Sequence, residues 1–141
     1  HHEKFKGNLK NFLDLYMIKS LDFSQEDTAF LKSIFKDTIN LAYDIYGENL
    51  FRPYILDKSK NWEWEDEARK AYYDAVMVAF SKNLPNAQIL KQNKNQVIDA
   101  TKELLKADKS ELFRGKGKNT KNDIQRRLNS FEQMLSQVIM S

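Results

Sequence analysis

The sequence predicts an all-α protein, a compact bundle of five to six helices around a central apolar helix at about residues 62–82. Two observations predict this class. Apolar residues recur at three- and four-residue steps along most of the chain. The 4 Gly and 2 Pro among 141 residues are too few for a turn-rich β-sandwich or barrel. No alternation typical of a strand and no internal repeat stand out, so we expect one helical domain.

The N-terminal half is predicted to contain two helices followed by a loop. Apolar stripes at 5–17 and 30–46 each define one helix face, and the second stripe is the longer. The segment 24–27 approximates a capping box before the second helix. Gly47 stands where a left-handed residue would end it. Residues 48–60 have no period and are predicted to be a loop.

The central helix is predicted because residues 75–80 are apolar on all sides, which is typical of a buried helix. Carboxylates at 63–67 would lie in its first turns and complement the positive end of the helix dipole. After Pro85 we expect a short helix, an interruption and a second helix over about 95–107. One continuous helix is the alternative.

The C-terminal part is predicted to be a loop at 108–119 and a final helix that ends near residue 140. Thr120 and Asp123 approximate a capping box at the start of that helix. Its apolar residues alternate by four and three, as in a coiled coil, over only about two heptads. A helix packed into the domain is therefore the expected meaning.

Composition excludes several classes of protein. The chain has no cysteine, which excludes disulfides and thiolate metal sites. No stretch approaches the ~20 apolar residues of a membrane span, and no secretory signal is visible, so we expect a cytoplasmic protein with no membrane partner. His1 and His2 are the only histidines and are interpreted as a tag remnant. Residues 3–141 would then be a single all-helical domain excised from a longer protein.

Charge is unevenly distributed along the chain. Residues 21–67 have five basic and eleven acidic side chains, a net charge of −6, whereas residues 109–141 have seven and three, a net charge of +4. The basic run 114–118 leads into a helix N-terminus, where backbone N–H groups favour anions such as nucleic-acid phosphates. A solvated loop is the alternative. The candidate DNA contacts are Arg114, Lys116, Lys118, Lys121, Arg126 and Arg127.

Two other clusters have both a functional and a structural interpretation. The acidic residues 63–67 could form a catalytic or metal site, but helix-start electrostatics account for them, so no catalytic residue, metal site or cofactor is predicted. Tyr54, Trp62, Trp64, Tyr72 and Tyr73 could stack on bases. Anchoring of the loop on the helical core is the more ordinary role for such side chains.

Four local patterns, in order, resemble a known family. They are Asp22-Phe23-Ser24, Ile45-Tyr46-Gly47 with Phe51-Arg52, Ala71-Tyr72-Tyr73-Asp74-Ala75-Val76-Met77-Val78-Ala79, and Thr120 with Ile124-Gln125-Arg126-Arg127. Together they resemble the helical C-terminal part of the ParB/sulfiredoxin-like domain of unknown function in GmrSD-type, modification-dependent restriction proteins. The resemblance covers roughly residues 22–140.

The resemblance implies an accessory role. The family's Asp-Gly-Gln-Gln-Arg motif, linked to nucleotide hydrolysis, and its His-x-x-Pro nuclease motif are both missing from this sequence. The chain alone is therefore expected to be no enzyme, although the parent protein would be a nucleotide-dependent DNA endonuclease. Phe51, Arg52 and Arg127 match family positions: Phe51 would fill the bundle, while Arg52 and Arg127 would cap helix ends or pair with the acidic helix start.

These expectations combine into one functional hypothesis and one alternative. The hypothesis is a non-catalytic helical subdomain of a phage-defence restriction protein, which supports the parent's catalytic lobe, with double-stranded DNA as a candidate partner. The alternative is a protein–protein interaction bundle with no nucleic-acid role, whose terminal helix docks a partner helix.

Overall fold

A computed structural model of the chain describes residues 25–109, 111–115 and 119–141, with side chains from residue 29 onward. The helix predicted at 5–17 and the capping side chains of Ser24 and Asp27 lie outside this description. The elements of the described part are α1 Gln25–Tyr46, a 3-10 turn Gly47–Asn49, β1 Tyr54–Leu56, β2 Trp62–Trp64, α2 Lys70–Lys82, a 3-10 turn Leu84–Asn86, α3 Ala87–Gln92, α4 Lys94–Lys106 and α5 Lys121–Met140.

Helix α2 is the centre of the molecule, as its apolar sequence predicts. The run 75–80 is buried from end to end, with exposure of 0–1%. Helices α1 and α5 pack against it, and α4 packs in turn against α5. Rings of α2 and α5 meet at Phe131, whose centroid lies 5.9 Å from that of Tyr72 and 6.4 Å from that of Phe80. The mostly helical prediction is confirmed in this core.

The predicted helix ends are also found. Helix α1 stops at Tyr46, and Gly47 follows with φ +57°, the left-handed conformation that glycine adopts without strain. The predicted interruption falls at Asn93, between α3 and α4. At the start of α5 the Thr120 hydroxyl accepts the Asp123 N–H at 3.1 Å, and the Asp123 carboxylate accepts the Thr120 N–H at 3.4 Å. This is the reciprocal capping box.

The apolar seam of α5 lies inside the domain. Leu128, Phe131, Leu135 and Val138 are all at most 9% exposed and belong to the core. A partner helix therefore cannot dock on this seam without unpacking the chain's own core, which removes the docking mode expected for the interaction-bundle alternative.

The prediction of a helix beginning near residue 62 is wrong. Residues 54–56 and 62–64 pair as a two-stranded antiparallel hairpin, and the helix begins only at Lys70. The turn between the strands is closed by Asp57, whose N–H donates to the Asn61 carbonyl and whose carboxylate accepts the Asn61 N–H, both at 2.8 Å. Lys60 adopts φ +64° in this turn. The molecule is thus helical with one small hairpin, not all-α.

Candidate nucleic-acid interface

The first candidate site is a cleft at the N-terminus of α2, which we call the basic cleft. It has a volume of about 640 Å³ and is bounded by the first turn of α2, the loop at 111–115 and the start of α5. Its charged lining residues are Arg69, Lys70, Arg114 and Arg127 against a single carboxylate, that of Asp74. Of these cations, Arg114 and Arg127 are among the contacts predicted from the sequence. Arg69 and Lys70 are not among them, because their segment was assigned to the interior of a helix.

Arg114 is held at the edge of the basic cleft by carboxylates. Its Nε lies 3.4 Å from Glu65 Oε1, and its Nη1 donates to Glu111 Oε1 at 3.1 Å. Glu65 is only 8% exposed and also accepts Arg69 Nε at 2.6 Å. We call Glu65, Arg69 and Arg114 the carboxylate clamp. It joins the hairpin to the C-terminal loop and fixes two of the cations that line the cleft.

The loop reaches the cleft because Gly115 approaches α2 closely. Gly115 has φ +77°, and a Cβ added there would lie 3.0 Å from the Cβ of Ala71. Upstream, the Asp108 carboxylate accepts the N–H groups of Leu112 and Phe113 at 3.0 and 3.1 Å. The segment 111–115 is therefore held in place by the hydrogen bonds of the Asp108 carboxylate and by the close approach of Gly115 to Ala71.

Arg127 has a structural position. It is 2% exposed, and its Nη1 donates to the Leu112 carbonyl at 2.9 Å. Burial lowers the pKa of its guanidinium, while the negative charges of Asp74, Asp123 and Asp108 oppose that shift. Its guanidinium therefore does not project into solvent as a phosphate contact would need, and it caps a turn carbonyl rather than a helix end.

The other candidate DNA contacts differ in their positions. Lys121 is exposed in the first turn of α5, and Arg126, 55% exposed, lies 3.9 Å from Asp123 on the same helix. Arg114 is partly exposed. Lys116 and Lys118 lie outside the described residues. Arg114, Lys121 and Arg126 thus keep solvent-accessible charge, and of these three Arg114 lines the basic cleft.

The remaining family-motif residues lie beside the hairpin. Phe51 adopts φ +69° and packs its ring against Tyr73, with centroids 4.5 Å apart. Its carbonyl accepts the Arg69 N–H at 3.0 Å, so the chain before β1 is tied to the residue that immediately precedes α2. Arg52 is half-buried, and no side-chain ion pair of Arg52 occurs among the described residues. Phe51 thus packs against the core as expected for a filling residue.

The acidic residues 63–67 do not lie in the first turns of a helix. Glu63 is exposed on β2, and Asp66 and Glu67 are exposed in the connection to α2. Glu65 alone is buried, and it is occupied by the two arginines of the carboxylate clamp. Within the described residues, no three or more His, Cys, Asp or Glu side chains gather in a way that could hold a metal ion.

A second cleft lies on the other side of Arg114, and we call it the hairpin cleft. It has a volume of about 250 Å³ and is lined by the hairpin, the end of α4 and the loop that follows. Tyr54 and Trp62 stack in this wall with centroids 6.0 Å apart and planes 15° from parallel. The sequence grouped these rings with Tyr72 and Tyr73, whereas the structure places the latter two in α2. Nothing in the sequence indicated that lysines of α4 contact these rings, because the hairpin and α4 are about 40 residues apart along the chain.

None of the helices in the described part of the chain is both long and apolar enough to cross a membrane. Compared with models of known protein families, with characterised proteins and with solved structures, the chain matches none. The two clefts and the pattern of charge around them are therefore the basis for a functional proposal.

Proposed function

We propose that this chain is a non-catalytic helical accessory subdomain of a restriction protein of phage defence, and that it contacts the phosphates of double-stranded DNA. The contact surface is the basic cleft together with the exposed start of α5. In the parent protein the subdomain supports a catalytic lobe, as its resemblance to GmrSD-type restriction proteins implies. The protein acts in the cytoplasm.

One observation carries the DNA contact: cations from two separate segments line one cleft. Arg69 and Lys70 come from the start of α2 and Arg114 from the loop, while Lys121 and Arg126 add exposed charge in the first turns of α5, which bound the same cleft. The two clamped arginines remain partly exposed, at 32% for Arg69 and 21% for Arg114. Such a group attracts a phosphate backbone without reading its sequence.

The test is a titration of labelled duplex DNA followed by fluorescence anisotropy at increasing salt. Binding should be detectable at low salt and weaken linearly on a double-logarithmic plot, with a slope of about −0.9 per phosphate contact. The double variant Lys121→Ala/Arg126→Ala should make that slope shallower by about 1.8. A companion variant, Lys116→Ala/Lys118→Ala, should act in the same direction.

The matched control is the double variant Lys32→Ala/Lys36→Ala on α1. The control removes two exposed lysines four residues apart on α1, and the test variant removes an exposed lysine and an exposed arginine five residues apart on α5. Both variants therefore lose two positive charges. We expect it to leave the salt slope unchanged. Equal weakening by both doubles, or no detectable binding at low salt, would refute a localised contact with DNA.

The non-catalytic part of the proposal has its own test. Nucleotide turnover by the chain should not exceed background. Turnover that disappears in Glu63→Gln would instead assign a reaction to the acidic segment and refute the accessory role.

A further inference from the structure

The hairpin exposes an aromatic face. The register pairs Tyr54 with Trp64 and Leu56 with Trp62, so these four side chains share one face while Ile55 and Glu63 occupy the other. Trp62 is 37% exposed and Leu56 is 50% exposed. Large apolar groups are thus left in solvent at the mouth of the hairpin cleft.

Lysines of α4 surround these rings. Lys102 Nζ lies 5.3 Å from the centroid of Tyr54, and Lys106 Nζ lies 5.9 Å from the centroids of both Tyr54 and Trp62. Cation–π contacts at exposed sites are weak. A bound anion can therefore pair with the ammonium groups at little cost in cation–π interaction energy. The aromatic rings of the hairpin and the ammonium groups of α4 therefore lie side by side.

The acidic side chains near this cleft are already engaged. Both oxygens of the Asp108 carboxylate accept backbone N–H groups, and Glu111 is bound by Arg114. Among the described residues, the carboxylate in ion-pair range of Lys106 is that of Glu103, at 3.8 Å on the exposed side of α4, which makes a weak pair. The lysines, with Lys109 at the rim, thus give the aromatic cleft a positive character.

We propose that the hairpin cleft binds an unpaired nucleotide of single-stranded DNA. The base stacks on the Trp62–Tyr54 wall, and its phosphate lies against Lys102 and Lys106. The volume of about 250 Å³ is below the ~300–1,000 Å³ of drug-sized pockets and suits one base. The inference rests on the proposed function, which it deepens: Arg114 lines both clefts, so a strand whose phosphates occupy the basic cleft passes the rings.

A second exposed aromatic serves as the matched control. Tyr43 is 54% exposed and lies near a lysine, Lys91, but Asp37 and Asp44 line the same surface, and Asp44 pairs with Lys91 at 3.4 Å. Both places therefore combine an exposed ring with an adjacent lysine, whereas the positive charge left available by neighbouring carboxylates differs. An anionic aromatic ligand should distinguish them.

The experiment uses the full chain with Trp64→Phe, which leaves Trp62 as the one tryptophan of the sequence. Oligothymidylate should quench the Trp62 fluorescence in a saturable way at low salt. Trp62→Ala in the otherwise native chain should weaken binding of labelled oligothymidylate at least about fivefold, the lower end for one stacked base. Tyr43→Ala should leave that affinity unchanged. The double variant Lys102→Gln/Lys106→Gln keeps both rings but removes the positive charge beside them, and it should also weaken the binding of oligothymidylate.

The possible results separate this inference from the proposed function. If Trp62→Ala weakens single-strand binding and spares duplex binding, the inference is supported. If oligothymidylate fails to bind, or Trp62→Ala has no effect, the inference is refuted while duplex binding at the basic cleft can still stand. If an acidic peptide quenches Trp62 as effectively as oligothymidylate does, the surface takes a protein partner and the inference is likewise refuted. Single-strand binding without duplex binding would support this cleft and refute the duplex proposal.

Discussion

The α2–α5 core and the hairpin end of the molecule are stabilised by different interactions. In the core, side chains such as Phe80, Phe131 and Leu135 are 0% exposed and pack against other apolar groups. At the hairpin end, half-exposed rings and the carboxylate clamp replace a closed apolar interior. The first arrangement favours rigidity, whereas the second leaves aromatic surface and positive charge available to a ligand.

This difference predicts unequal responses to substitution, and the largest belongs to the core. Phe131→Ala removes the ring that contacts Tyr72, Phe80 and Phe113, and it should lower the free energy of unfolding by about 3–5 kcal/mol. Urea denaturation followed by circular dichroism measures it. The exposed Met140→Ala on the same helix is the control, with no resolvable change expected. A loss below about 1 kcal/mol for Phe131→Ala would contradict the assigned core.

Alkaline pH should also unfold the core. Burial raises the pKa of Tyr46, with the Thr101 hydrogen bond acting against the shift, and burial together with the charge of Tyr46 raises the pKa of Tyr72. Because both hydroxyls stay protonated in the folded state, stability is complete below the unfolded pKa of about 10. Above it, stability falls by about 1.4 kcal/mol per pH unit for each tyrosine.

Thermal unfolding between pH 8 and pH 11 checks this dependence. Tyr72→Phe should make the decline above pH 10 shallower than in the native chain. Identical pH profiles for Tyr72→Phe and the native chain would show that Tyr72 does not titrate differently in the folded and unfolded states.

At the hairpin end, the sharpest test is the carboxylate clamp. Glu65→Gln keeps the shape of the side chain but removes the charge that binds Arg69 and Arg114, and it should cost about 1–2 kcal/mol because the arginines stay partly solvated. Tryptophan emission from the hairpin should shift together with the loss of stability. Glu63→Gln, at an exposed position of β2 two residues before Glu65, should change neither quantity. Equal effects of the two substitutions would show that the clamp contributes nothing.

The smallest expected effects distinguish two buried tyrosines of the core. The Tyr46 hydroxyl lies 2.7 Å from the Thr101 hydroxyl, so Tyr46→Phe should cost about 1 kcal/mol. The Tyr72 hydroxyl is buried and finds no hydrogen-bond partner within the described part of the chain. Tyr72→Phe should therefore be neutral or stabilising by about 1 kcal/mol at pH 7. Chemical denaturation of the two variants in parallel measures the difference, and a larger loss for Tyr72→Phe would reverse the assignment.

The core could be predicted from the sequence because its causes are local and periodic. The apolar run at 75–80, the glycine after α1 and the Thr120–Asp123 box each act within a few residues, and the structure bears out all three. The alternation of Tyr54 and Leu56 with Trp62 and Trp64 was a readable signal for the hairpin. The carboxylates between the aromatic residues and α2 concealed it, since they also fit the first turn of a helix.

The site depended on contacts between distant segments. Glu65 and Arg114 lie 49 residues apart, and no local pattern pairs them. The burial of Arg127 was equally hidden, because its neighbour Arg126 has the same side-chain chemistry and is exposed. Successive residues of a helix point in directions about 100° apart, so only one of the two adjacent arginines can face the core. The buried positions of Leu128 and Phe131 determine that it is Arg127.

The most direct test of the account is to map where nucleic acid contacts the chain by amide chemical-shift perturbation with a short duplex at low salt. We expect the largest changes to cluster at 65–71, 111–115 and 119–126, with α1 and α3 unaffected. Perturbations centred on α1 around Tyr43, or spread evenly over the exposed lysines, would contradict a built interface at the hairpin end.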